Sequence, residues 1–246
     1  MPSPTIPLRQ PRRKASVTSA PAASLPTPAP PALFAGEKAT RARILHAALE
    51  VFATRGFEAA SLREITEKAQ VNVAAIHYHF GSREVLVQEV MRAVAGPLNR
   101  LRLDALDRAC AEGPPGLAAV VEALVGPPVM LSFEATGEPR LLIRLLIQAR
   151  ALPQEATNHA IFEQYDTLAI RFVDAMLLAE TALPREEAFW RYAFAIGALM
   201  YIVSDSDQGY HRLQRLSGGL CDTDDPRAIV RQLVAFITAG IRTGRA

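Results

Sequence analysis

Between residues 61 and 83 the chain gathers side chains suited to holding a polyanion rather than to breaking bonds. Ser61 and Asn72 each stand one residue ahead of a short helical pattern, where a side-chain oxygen accepts from an orphan amide. The free amides behind Ser61 suit a phosphate at a helix N-terminus. Arg63 projects from the first helix and suits bidentate reading of a guanine, while Arg83, just past the second, suits a phosphate clamp. On the second helix, stepping 100° per residue groups Val73, Ile76 and Phe80 on one side. Ala74, Ala75 and Tyr78 fall on the opposite side, with His77 at the margin. One face packs and the other is free. Small side chains at 74 and 75 let the backbone approach base edges and thymine methyls, and His77 and Tyr78 can donate to phosphates. Ser61 and Asn72 cap their helices on any reading, contact with DNA being additional. His79 flanks the packed face and suits a structural histidine as well as a DNA contact, and Arg63 and Arg83 could also be solvated surface charges.

Other chemistries find little support. No GxSxG, HExxH or phosphate-cradling glycine loop occurs, and His77 and His79, two apart on a helix, face different sides and make a poor metal pair. The chain is therefore read as a non-enzyme with no metal site and no cofactor. A nonspecific architectural DNA-binding protein is the main rival, but it would have little use for a long apolar helical body. Cys110 and Cys221 lie far apart without CxxC spacing, which argues against a disulfide framework or a zinc site and suits a reducing cytoplasm. No stretch reaches about 18 residues without a charge or proline, so neither secretion nor membrane insertion is expected.

The elements that position these residues follow from punctuation and period. From Thr40, a candidate N-cap, Ile44, Ala48 and Phe52 form one apolar stripe that Gly56 ends. Ser61, with Glu64 three residues on, makes a capping box for a helix bearing Leu62, Ile65 and Ala69. Gln70-Val71 is a tight turn, Asn72 starts the helix over 73–79, and Gly81-Ser82 resets the chain for a longer helix from Arg83. Gly96-Pro97 is expected to end or kink that helix and marks the domain boundary. Two short helices joined by a three- or four-residue turn are the helix-turn-helix plan, whose second helix enters the major groove.

Beyond this head the fold class is all-α, with helices near 97–111, 116–133, 138–151, 154–181, 185–206 and 226–243 and no sheet. Three units result: an arm over 1–36, a DNA-binding domain over 37–95, and a helical ligand-binding and dimerisation domain over 96–246. The arm holds nine of the eighteen prolines, four basic residues and no acidic one, and is read as disordered. It is either a plain tail or a strand of positive charge along DNA through Arg9, Arg12, Arg13 and Lys14. Residues 1–95 carry 12 Lys/Arg against 7 Asp/Glu and the remainder 15 against 18, so a net charge of +2 hides a basic end.

In the body, Ile161, Tyr165, Leu168, Phe172 and Met176 recur at helical spacing as core or as the wall of an effector cavity. Arg144, Arg150, His159, Tyr165 and Trp190 are candidate polar anchors and Phe172 a candidate wall. Residues 193–203 are apolar around nearly the whole helix, so they are buried on more than one side. The last helix adds Val234, Ile237 and Ile241, and small residues such as Gly197 and Gly240 permit close packing. Gly197, Met200, Val234, Ile237 and Ile241 are the candidate dimer contacts.

The run TRARILHAALEVFATRGFEAASLREITEKAQVNVAAIHYHFGSREVL, residues 40–86, resembles the N-terminal domain of TetR-type transcriptional regulators. The resemblance implies a three-helix DNA-binding head, a helical ligand-binding body, and a homodimer that leaves its double-stranded operator when a small molecule binds. It puts groove contacts on Arg63, Val73, Ala74, Ala75, His77 and Tyr78 and phosphate contacts on Ser61, His79 and Arg83. It also implies that the last two helices form a four-helix bundle across a two-fold axis. Three positions depart from the family pattern: Gln70 replaces a turn glycine, His77 a tyrosine and Arg83 a lysine. AAIHYHFGS and EEAFWRYAFAIGALMYIVSD resemble a subgroup that responds to fatty acids or acyl ligands.

Overall fold

The computed structural model describes residues 37–133, 138–151, 155–205 and 211–242, apart from the side chains of 138–140, 142, 155–156 and 158–164. The proline-rich arm expected over 1–36 lies outside the described residues, and so does the side chain of His159. Ten helices follow in order: α1 Ala39–Arg55, α2 Leu62–Ala69, α3 Val73–Phe80, α4 Arg83–Cys110, α5 Leu117–Ser132, α6 Glu138–Ala151, α7 Glu155–Ala179, α8 Arg185–Asp205, α9 Arg212–Leu216 and α10 Pro226–Arg242. No strand occurs among the described residues, and no helix among them is long and apolar enough to cross a membrane.

The head is α1 to α3 standing on the start of α4. Ile44, Phe52, Ile65, Ile76 and Leu86, none with measurable exposure, pack the stripes of four helices into one core. Two caps hold the short helices, which at eight residues each have little stability of their own. Ser61 Oγ accepts from the Glu64 amide at 3.1 Å, and Asn72 Oδ1 accepts from the Ala75 amide at 2.9 Å. Glu64 turns its carboxylate to Arg55 at 3.0 Å, tying α2 to α1. Between the helices Gln70 sits in the left-handed region at φ 54° and ψ 49°, and the Val71 amide closes on the Thr66 carbonyl at 3.0 Å. A non-glycine residue therefore takes the turn conformation that glycine adopts more readily.

Three expectations are corrected. Thr40 lies inside α1, which starts one residue earlier; the N-cap is Lys38, which makes no side-chain capping bond. Gly96-Pro97 does not end the fourth helix, which runs unbroken from Arg83 to Cys110. Proline costs the Ala93 carbonyl its donor, but Val94 and Leu98 are buried on either side of it, and this packing holds the helix together. The segment expected over 97–111 is thus the second half of α4. The short α9, carrying no buried residue, was not expected from the periodicity.

In the body α4 packs along α5 and α7, while α10 lies against α5 and α8. One apolar cluster runs from α1 through α4 into α10, so head and body share a core. Gln148 of α6 reinforces the join by donating from Nε2 to the Ala53 carbonyl of α1 at 3.0 Å. Arg41 of α1 reaches Glu89 of α4 at 2.8 Å and lies 5.0 Å above the Phe80 ring.

Candidate DNA-reading face and body cavity

The turn at Gln70 swings α3 so that Ile76 and Phe80 enter the core while Ala74, His77 and Tyr78 face solvent. Tyr78 is 86% exposed, which no packing role explains. It stands edge-on to His79, ring centroids 5.0 Å apart. His77 donates from Nδ1 to the Gly81 carbonyl at 3.1 Å, since that oxygen can only accept. Ala75 and His79 are half-buried. Val73 departs from the helical-wheel reading: it is 43% exposed. Side chains lean toward a helix's N-terminus, so a first-turn residue points past the packed region rather than into it.

Ser61 is exposed at the start of α2 beside this face. Arg63 is almost fully solvated but pairs with Glu67 at 2.8 Å, a bond that raises the pKa of its guanidinium. Arg83 is not the free cation its position suggested. Its Nη2 donates to the Phe57 carbonyl and, at 3.4 Å, to that of Ala60, with the guanidinium 5.9 Å above the Phe52 ring. It thereby stitches the loop between α1 and α2, and a phosphate would meet only its remaining donors.

The body holds a partly open cavity of about 70 Å³, several times the room one water needs. Leu98 and Arg102 of α4, Pro128 of α5, Ile143 and Arg150 of α6, Tyr165 of α7, and Leu199 and Met200 of α8 line it. Of the expected anchors it gathers Tyr165 and, at its solvent-exposed rim, Arg150. Arg144 is exposed on α6 and does not line it. Phe172 is sealed in the core, two turns beyond Tyr165, which lines the cavity from α7. Trp190 is an outward residue stacked on Phe194 at 5.9 Å. The Tyr165 hydroxyl is buried without a hydrogen-bond partner, and burial pushes its pKa up to about 12, so it stays a neutral donor. Burial likewise raises Tyr192.

Arg102 was missed from the sequence. It interrupts the apolar spacing Val94, Leu98, Leu106 on α4 and is 4% exposed. Its Nε donates to the Leu124 carbonyl at 2.9 Å. That carbonyl is available because its helical donor would be residue 128, a proline. A charge on an apolar stripe and a proline four residues past an acceptor were the legible signals.

On the outer side, Gly197 is exposed and nothing lies within 4 Å of where a Cβ would project. Trp190, Phe194 and Tyr201 share its stripe on α8 and are exposed, as is Phe236 of α10 at 70%. Val234 is half-buried, and Met200 turns inward to the cavity. Ile237 and Ile241, expected at a dimer face, are buried within the chain, because α10 spends its aliphatic side on its own body.

Residues 44–90 match the family described as "Bacterial regulatory proteins, tetR family", and residues 122–240 match "Tetracyclin repressor-like, C-terminal domain". The chain belongs to the TetR family of transcriptional regulators. The regulator UidR of Escherichia coli K12 is 31% identical over 117 residues, 48% of this chain and 55% of UidR. TtgW of Pseudomonas putida, an uncharacterised regulator, is 41% identical over 61 residues, 25% of this chain and 46% of TtgW. The chain thus spans about half the length of these curated relatives. Among solved structures, a putative transcriptional regulator from Pseudomonas aeruginosa PAO1 matches at TM-score 0.58 and 22% identity, over 83% of this chain and 90% of that one. A TetR-like regulator from Rhodococcus sp. RHA1 matches at 0.58 and 18%, over 83% and 96%. These two share the TetR fold with this chain.

Proposed function

We propose that a homodimer of this chain acts in the cytoplasm as a repressor, held on a palindromic double-stranded operator and released by a small apolar effector with a polar or acidic head. A fatty acid or its acyl thioester is the effector class. The observation that carries the DNA reading is the free face of α3, where Tyr78 stands 86% exposed beside Ala74 and His77 with the caps Ser61 and Asn72 at its flanks. Arg63, Val73 and Ala75 complete the groove-facing set, and Ser61, His79 and the outer donors of Arg83 meet phosphates. A two-fold dimer presents two such faces to half-sites one or more helical turns apart. The dimer face is the stripe of Trp190, Phe194, Gly197 and Tyr201 with Phe236 and Val234. Release requires the effector to prefer a head spacing unlike the DNA-bound one. Helix α4 is the lever, because it carries Arg83 at the head and Leu98 at the cavity without a break.

Selection of bound fragments from random DNA tests the reading, with an imperfect palindrome as the expected result. The complex is then titrated with fatty acids, acyl thioesters and planar aromatics below micelle-forming concentrations. A tenfold loss of operator affinity corresponds to about 1.4 kcal/mol of differential binding. Release by the aromatics alone overturns the acyl effector and leaves the regulator standing.

A further inference from the structure

The body cavity holds an imbalance of charge that its own residues do not correct. Arg102 is 4% exposed, and no carboxylate among the described residues lies within ion-pair distance of it. Its titratable neighbours are Arg150, Tyr165 and Tyr192, so the closest formal charge has the same sign. Burial works against the guanidinium's charge, yet arginine does not discharge to escape it. A lone cation taken from water is costly unless an anion meets it. The geometry also leaves donors unspent. Nε is held by the Leu124 carbonyl, which fixes the plane of the group at the cavity wall. Tyr165 lines the same cavity, and its hydroxyl is buried with nothing to bond. Each polar side chain lining the space can donate and none carries a negative charge, and the remaining walls, such as Leu98, Ile143, Ile196 and Leu199, are apolar.

From this convergence we infer that the cavity is a receptor for a free carboxylate on a compact apolar body, the carboxylate bridging Arg102 and Arg150 with the Tyr165 hydroxyl as a third donor. The inference rests on the effector reading above and narrows it to the acid itself. A thioester carbonyl is neutral and leaves Arg102 uncompensated. A carboxylate accepts two parallel N–H bonds from a guanidinium, the strongest pairing the site can offer.

Calorimetric titration of the full chain with hexanoate and octanoate, hexan-1-ol and octan-1-ol, and octanoyl thioester tests it. Each acid should bind at least tenfold more tightly than its alcohol, and the thioester more weakly than the acid. Arg102→Met should weaken the acids at least tenfold and leave the alcohols unchanged. Arg102→Lys, which retains the charge without the planar fork, should keep part of the preference, and Tyr165→Phe should lose a few-fold on the acids alone. Equal binding of acid and alcohol, no binding of either acid at millimolar concentration, a preference for the thioester, or undiminished acid binding by both Arg102 variants overturns the anion site. Acids that bind by these rules yet leave the operator complex intact overturn only the effector reading.

Discussion

The head and the body of this chain share one apolar core but treat their polar residues differently. In the head four polar side chains of the site are paired locally: Ser61 and Asn72 with amides three residues on, His77 with a carbonyl four residues on, Arg63 with Glu67. In the body the Tyr165 hydroxyl is buried without a partner, and Arg102 is buried with no carboxylate among the described residues at ion-pair distance. A surface that meets a large polyanion can be pre-organised by short-range bonds and still leave its outer atoms free, since water occupies them meanwhile. A group buried at a cavity wall has little such reserve, so the unused donors there point to what enters it.

The shared core is where that comparison is easiest to break. Phe52→Ala removes a ring with no exposure and should cost about 3–5 kcal/mol. Because one cluster spans head and body, calorimetry should show a single transition at lower temperature. Two resolved transitions would mean that the regions fold independently.

The dimer face comes next. Gly197→Glu and Phe236→Glu each place a charge where the partner would cover it, at a cost of at least about 2 kcal/mol. Light scattering at micromolar concentration should report monomers of unchanged helicity, whereas intact dimers in both variants would reject this face.

Smaller effects separate local from tertiary control of the head. Asn72→Ala should lower stability by about 1 kcal/mol through the lost cap, read by urea unfolding. Gln70→Gly relieves a left-handed non-glycine residue but loosens the unfolded chain, so a net gain under about 1 kcal/mol is expected. A loss on Gln70→Gly would show that the glutamine side chain contributes more than the turn costs it.

The same division explains what was legible in the sequence. The helices of the head, both caps and the Gln70 turn follow from residues within four positions of one another, and all appear in the structure. Arg83 read as free because the Phe57 and Ala60 carbonyls that hold it lie more than twenty residues upstream. Pro97 read as a helix end because its local cost is plain while the packing of Val94 and Leu98 that outweighs it is tertiary. Arg102 went unread since its partner is a carbonyl exposed by a proline on another helix. Ile237 and Ile241 read as a dimer face because periodicity gives a helix its apolar side without saying which neighbour takes it.

The central claim is that the free face of α3 reads DNA in a dimer, and footprinting on the selected operator tests it most directly. The parent should protect two half-sites related by a two-fold axis. Tyr78→Ala should weaken that protection by about 1–3 kcal/mol, and Ala74→Glu, which blocks close approach of the helix and repels phosphates, should abolish it. Both residues are solvent-facing, so their unfolding temperatures should match the parent. Continuous protection indifferent to sequence, or an unchanged footprint with Ala74→Glu, would contradict the account.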